Sequence, residues 1–142
     1  MNKEIFLSYL AGMFDNCGKL SLKKDGRTKK SIYPEVILRS KKEDFLIRVK
    51  EAYGGTLRKN KNSYVLILTH KKAKNLLNDL KDFSILKKRE IEIIQQIFSK
   101  QFSGKLEEKR RRKLIEEFLF LVQPSERKSK NKKWSVKSLL ED

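Results

Sequence analysis

Between Lys3 and Phe14 the apolar residues Ile5, Phe6, Leu7, Leu10, Ala11, Met13 and Phe14 stand so close together that most of a helical circumference is apolar. A helix of this kind is buried on nearly all sides, so the chain has to fold around its own first element. Asp15, Asn16, Cys17 and Gly18 end it, with Gly18 suited to the left-handed cap position. The period then changes. Lys19 to Lys24 alternates, with Leu20 and Leu22 on one side and Lys19, Ser21 and Lys23 on the other, which predicts a half-buried strand with a cationic outer face.

Tyr33 to Arg39 alternates in the same way, and Pro34 suggests a strand start or an edge. Phe45, Leu46, Val49 and Tyr53 then recur at helical spacing over Lys41 to Tyr53, and Gly54-Gly55 stops that helix. Two further strands are expected at Thr56 to Asn60 and Ser63 to Thr69, joined by a turn at Lys61-Asn62, and a helix follows at Lys71 to Leu80. The order helix, two strands, helix, two strands, helix belongs to an α+β domain, αββαββα, with a four-stranded antiparallel sheet covered by helices on one face. Lys19, Ser21, Lys23, Glu35, Ile37, Arg39, Arg58, Asn60, Ser63 and Val65 would line the other face, where a ligand is expected. Helices at Leu86 to Phe98 and Lys105 to Val122 complete a domain over residues 1–123. Residues 124–142 read as a basic tail carrying Arg127, Lys128 and Lys130, with Trp134, Val136, Leu139 and Leu140 able to form a short docked helix.

The 142 residues hold 35 Lys plus Arg against 18 Asp plus Glu, a formal charge of +17. Charge of this size points to a polyanion, most simply nucleic acid, because Lys and Arg contacts to phosphate release counterions. A length of 142 residues and a hydrophobic content of 38% suffice for one core. One Cys and one His exclude a disulfide scaffold and a Cys/His zinc cluster within a single chain, and fit a reducing, cytoplasmic setting. The start MNKEIFLSYLAGMF lacks the apolar core and cleavage site of a signal peptide, and no run approaches a bilayer span, so no membrane partner is expected.

The segment Leu10-Ala11-Gly12-Met13-Phe14-Asp15-Asn16-Cys17-Gly18 resembles the signature of the LAGLIDADG homing endonucleases. The strand pairs, Ser40-Lys41-Lys42 before Phe45-Leu46, Gly54-Gly55 and Leu86-Lys87 fall where single-motif members have counterparts, so the resemblance covers roughly residues 2 to 122. It implies a saddle whose sheet lies in the DNA major groove, with the signature helix as the seam of a homodimer. Small Ala11 and Gly12 would let a second helix approach, and Leu7, Leu10 and Phe14 are expected beside them in that seam. In an organelle intron setting the same resemblance implies a matrix protein.

The family's metal-binding acid, just before the last Gly of the signature, corresponds to Cys17 here. A thiol is soft and mostly protonated, and a poor ligand for hard Mg²⁺. Asp15 is the remaining carboxylate, but two residues rotate about 200° around a helix, which turns it away from Cys17. It is expected to pair with a nearby cation rather than to hold metal. Ser40 and Lys41 correspond to residues beside the active site and Lys87 to the assisting base. The expectation is a duplex DNA binder needing no cofactor to bind, with impaired cleavage. An Mg²⁺-dependent nuclease or nickase using Asp15, and an RNA-binding maturase or ribosome-associated factor, stay open as alternatives. Arg39 and Arg58 suit guanine edges, Asn60 suits adenine, and Lys19 and Lys23 suit phosphates.

Overall fold

The computed structural model describes residues 2–24, 32–99, 105–122 and 139. Nine elements follow one another among them: α1 Lys3–Cys17, β1 Lys19–Lys24, β2 Ile32–Ser40, α2 Asp44–Tyr53, β3 Thr56–Lys59, β4 Tyr64–Thr69, α3 His70–Leu80, α4 Lys88–Ile97 and α5 Lys105–Val122. The strands form one sheet in the order β1-β2-β4-β3, with β2 and β3 both antiparallel to the central β4. The chain is therefore α+β, with the expected element order.

The chain groups into two compact units. The first comprises Met1–Ser21 and Pro34–Lys88, and the second Leu22–Tyr33 and Arg89–Asp142. In the first unit, Leu20, Val36, Leu38, Leu66 and Leu68 are buried, and α2 and α3 pack on β4. Their amphipathic faces supply Leu46 and Val49 from α2 and Ala73, Leu76, Leu77 and Leu80 from α3, all fully buried. Tyr53 ends α2 and donates its hydroxyl to Asp79 of α3 at 2.5 Å. Burial, then the hydrogen bond and charge of Asp79, push this phenol above its ordinary range. Tyr53→Phe is expected to lower stability by about 1 kcal/mol in urea titration at pH 7. Because the folded phenol titrates higher than the unfolded one, that increment holds below about pH 10 and fades as the pH rises further.

In the second unit, Ile91, Ile93, Ile94 and Ile97 of α4 and Ile115, Phe118 and Leu119 of α5 are buried. A bidentate ion pair joins these two helices, with Arg89 Nε and Nη2 donating to the carboxylate of Glu117 at 3.0 and 2.9 Å.

Several boundaries move for identifiable reasons. Gly18 has φ −87° and ψ 158°, extended and not left-handed, so α1 runs to Cys17 without a left-handed cap. Glycine is needed there for space, since a Cβ would lie 2.7 Å from both Cδ1 and the carbonyl oxygen of Phe14. Gly54 and Gly55 do adopt positive φ, 87° and 108°, and end α2 as expected. Pro34 lies inside β2, a strand flanked on both sides; it precedes Glu35, the first residue paired with β4, so its missing N–H costs that ladder nothing. Helix α1 is not wrapped all round, because Ile5 and Tyr9 are 60% and 59% exposed. The tail residues Arg127, Lys128 and Lys130 and the boundary at 123/124 lie outside the described residues; Leu139 is fully buried. No helix among the described residues is long and apolar enough to cross a membrane.

Candidate nucleic-acid interface

Pairing register decides what the open face of the sheet carries. Arg39 of β2 and Arg58 of β3 are both paired with Val65 of β4, so the three side chains form one row. Ile37 and Thr56 are both paired with Ile67, which makes the next row. These rows face away from Val36, Leu38, Leu57, Leu66 and Leu68, because alternate residues of a strand point to opposite faces. Both arginines are exposed, whereas Val65 between them is only 5% exposed and offers no polar group. Among the described residues neither guanidinium is held by a carboxylate. Lys19, exposed, and Ser21 and Lys23, half-buried, occupy the outward positions of β1, and half-buried Glu35 pairs with Thr69.

Two expected face residues are placed differently. Asn60 and Ser63 lie outside the strands, in the tight turn around Lys61-Asn62, where the Asn60 N–H donates to the Ser63 carbonyl at 2.8 Å. Four residues suffice for β3, because the turn closes one step earlier than the alternation suggests. Thr56, outward as the alternation of Thr56 to Asn60 implies, and Ile67, on the parity of Val65, also lie on this face.

At the far end of α1 a second cluster forms. Asp15 accepts from the buried Ser84 hydroxyl through Oδ1, and through Oδ2 from the backbone N–H groups of Ile85 at 2.8 Å and Leu86 at 3.0 Å. Desolvation pushes this carboxyl up, but the hydrogen bonds from Ser84 and from the backbone of Leu86, Ile85 and Lys87 outweigh it and hold the group below the usual carboxylate range. Lys87 reaches the same helix end. Its ammonium donates to the carbonyl of Phe14 at 2.9 Å and to that of Gly18, and lies 5.0 Å from the centre of the Phe14 ring. A cation is favourable here because the C-terminal end of a helix carries partial negative charge. Gly18→Ala should cost roughly 1–3 kcal/mol, because the new methyl would have to displace Phe14 backbone; urea titration reads it.

Cys17, two residues beyond Asp15, is exposed. Asn16 turns its amide back on the helix, donating to the Gly12 carbonyl at 2.8 Å. Ser40 and Lys41 stay at the exit of β2, where the Ser40 hydroxyl accepts from the Lys42 N–H at 3.2 Å. Among the described residues the helix end offers the Cys17 thiol and, turned away from it, the Asp15 carboxylate, whose two oxygens already accept three protein hydrogen bonds. That set does not fit a hard divalent ion. No group of three or more His, Cys, Asp or Glu suited to a metal occurs among the described residues.

The helix seam also needs correction. Leu7, Leu10, Ala11 and Phe14 are at most 6% exposed, so they belong to the chain's own interior and cannot line a contact with a second helix. Only Gly12 of the expected set is open, with nothing within 4 Å of its Cβ position. The stripe left facing out is Ile5, Ser8, Tyr9, Gly12 and Asn16, at helical spacing. Tyr9 sits edge-on against Phe45 at 4.5 Å, which holds the stripe's largest ring in place.

No family model matches the chain, and no curated protein sequence matches it. Solved structures do. The archaeal intron-encoded homing endonuclease I-Vdi141I, solved complexed with DNA, superposes with a TM-score of 0.65 at 22% identity, over 98% of this chain and 94% of that one. The homing endonuclease I-CvuI, solved in complex with a DNA target in the presence of Mg, gives 0.63 at 17% identity over 96% and 90%. The LAGLIDADG homing endonuclease I-GzeII, in complex with its DNA target, gives 0.61 at 12% identity, over 96% of this chain and 53% of that one. Element order, sheet topology and these superpositions agree: the chain has the fold of the LAGLIDADG homing endonucleases.

Proposed function

We propose that the chain binds duplex DNA through the open face of its sheet, as a homodimer, and cleaves it weakly or not at all. The observation that carries this reading is the row in which exposed Arg39 and Arg58 flank Val65, on a sheet turned outward in a chain of charge +17. Guanidinium groups on a strand pair suit the major groove, where arginine bonds guanine bidentately. The neighbours solved with DNA share this fold, which supports the same partner here.

Two copies are favoured by length and by the open stripe of α1. The chain spans 94% of I-Vdi141I but 53% of I-GzeII, so the longer protein has room for a second unit of this size. A two-fold pair of α1 helices would cover Ile5 and Tyr9, which a lone copy leaves 60% and 59% exposed. Impaired cleavage rests on the helix end, where Cys17 stands in the family's acid position and Asp15 is engaged by Ser84, Ile85 and Leu86. Binding in this reading needs no cofactor.

Selection from a randomised duplex library at near-physiological salt tests it, followed by incubation of the winners with Mg²⁺ for the wild type and Cys17→Asp. The expected result is a long, roughly palindromic site that the wild type binds and does not cut, and that Cys17→Asp cuts. Cutting by the wild type overturns impairment, and enrichment of structured RNA over every duplex overturns the partner. Binding should weaken steeply with salt, and Lys19→Ala should reduce the log–log salt slope by about 1, as loss of one phosphate contact does.

A further inference from the structure

Which bases such a face prefers depends on what stands in its successive rows. Resting on the sheet reading above, we propose that each copy reads two positions about two base pairs apart with opposite chemistry. Guanine is read by the row Arg39–Val65–Arg58, and thymine by the row Ile37–Ile67–Thr56.

Dimensions set the orientation. Neighbouring strands lie about 4.8 Å apart, so a row across β2, β4 and β3 spans about 10 Å. The major groove is about 12 Å wide, so a row fits across it and the strands run along it. Same-face rows are two residues, about 6.7 Å, apart along a strand, which matches about two base-pair rises of 3.4 Å.

The two rows then offer different groups. In the first, Val65 contributes no hydrogen-bonding side chain and only the two exposed guanidinium groups do, each matching the O6 and N7 acceptors of guanine. In the second, Ile37 and Ile67 are half-buried and apolar, and the Thr56 hydroxyl is the single polar side-chain group. Methyl-rich side chains favour the C5-methyl of thymine, whereas a cytosine amine or guanine edge placed against Ile37 or Ile67 would lose water without gaining a partner. The two rows therefore give the half-site a guanine-selecting step and a thymine-selecting step, in fixed order along β2.

The experiment is duplex selection with the full chain as wild type, Arg39→Gln, Ile37→Arg and Arg39→Glu/Arg58→Glu, each checked for a wild-type thermal melt. Arg39 is exposed and Ile37 half-buried, so the single changes leave the core intact. Wild type should enrich guanine and, about two base pairs away, thymine. Arg39→Gln should weaken the guanine preference of the first row, which Arg58 still reads, and admit adenine where Arg39 stood, leaving the thymine step unchanged. Ile37→Arg should replace the thymine preference with guanine. An enriched site whose base preferences ignore both single changes, while the double Glu variant abolishes binding, overturns the row assignment and leaves the sheet as the DNA-binding face. Binding that survives the double Glu change overturns the sheet reading itself, and the row assignment with it.

Discussion

Replacing Phe14 with alanine lowers the free energy of unfolding by about 4 kcal/mol, the range for truncating a fully buried phenylalanine. The side chain has no exposed surface, so the favourable burial of the whole ring is lost and a cavity remains. A second contribution comes from Lys87, whose ammonium lies 5.0 Å from the ring centre and loses that partner, worth about 0.5–2 kcal/mol. Urea titration measures the sum as a fall in midpoint at unchanged slope. Phe14→Leu refills most of the space and should cost less than half as much. Equal losses for the two variants would mean that the ring's face, rather than its volume, holds the helix end.

Asp15→Asn removes about 2–4 kcal/mol, because an amide keeps one acceptor oxygen where the carboxylate satisfies three donors, one from the buried Ser84. The amide's own N–H₂ then faces donors. Hydrogen exchange gives the local readout: the amides of Ile85 and Leu86 should exchange more than about tenfold faster in the variant. The pH dependence has a definite sign. The Asp15 carboxyl titrates below its ordinary 3.8 in the folded chain, so its contribution is complete above that value and is lost as the pH falls through the folded pKa. The gap between wild type and Asp15→Asn should therefore be constant from pH 7 to about 5 and close below about pH 4. A gap that persists unchanged to pH 2.5 would assign the effect to packing.

Periodicity made the scaffold legible. Alternation over Lys19 to Lys24 and Tyr33 to Arg39 marks the strands, Gly54-Gly55 marks the end of α2, and Arg39, Arg58 and Val65 fall on one face as parity demands. The roughly 200° rotation turns Asp15 away from Cys17, but the expected cation is not its partner: the Ser84 hydroxyl and the backbone N–H groups of Ile85 and Leu86 hold it instead. The misplaced seam has a simple physical origin. A dense apolar stretch says that a helix is buried without saying by what, so Leu7, Leu10, Ala11 and Phe14 read equally well as a seam between copies or as the interior of one. Burial settles the choice. The clamp of Ser84 to Lys87 on α1 was hidden for another reason: partners 69 to 73 residues apart leave no periodic trace.

Asp15 gives the signature of this chain a double life. One acid on α1 fastens a distant loop to the helix, and an open position two residues later carries a thiol that fastens nothing described here. Requirements that separate cleanly within one turn of helix can be relaxed one at a time under selection. A lineage can thus exchange the second residue without unfolding, and keep a folded scaffold on which drift or a new use acts. Each position of such a motif therefore has to be asked separately what it does.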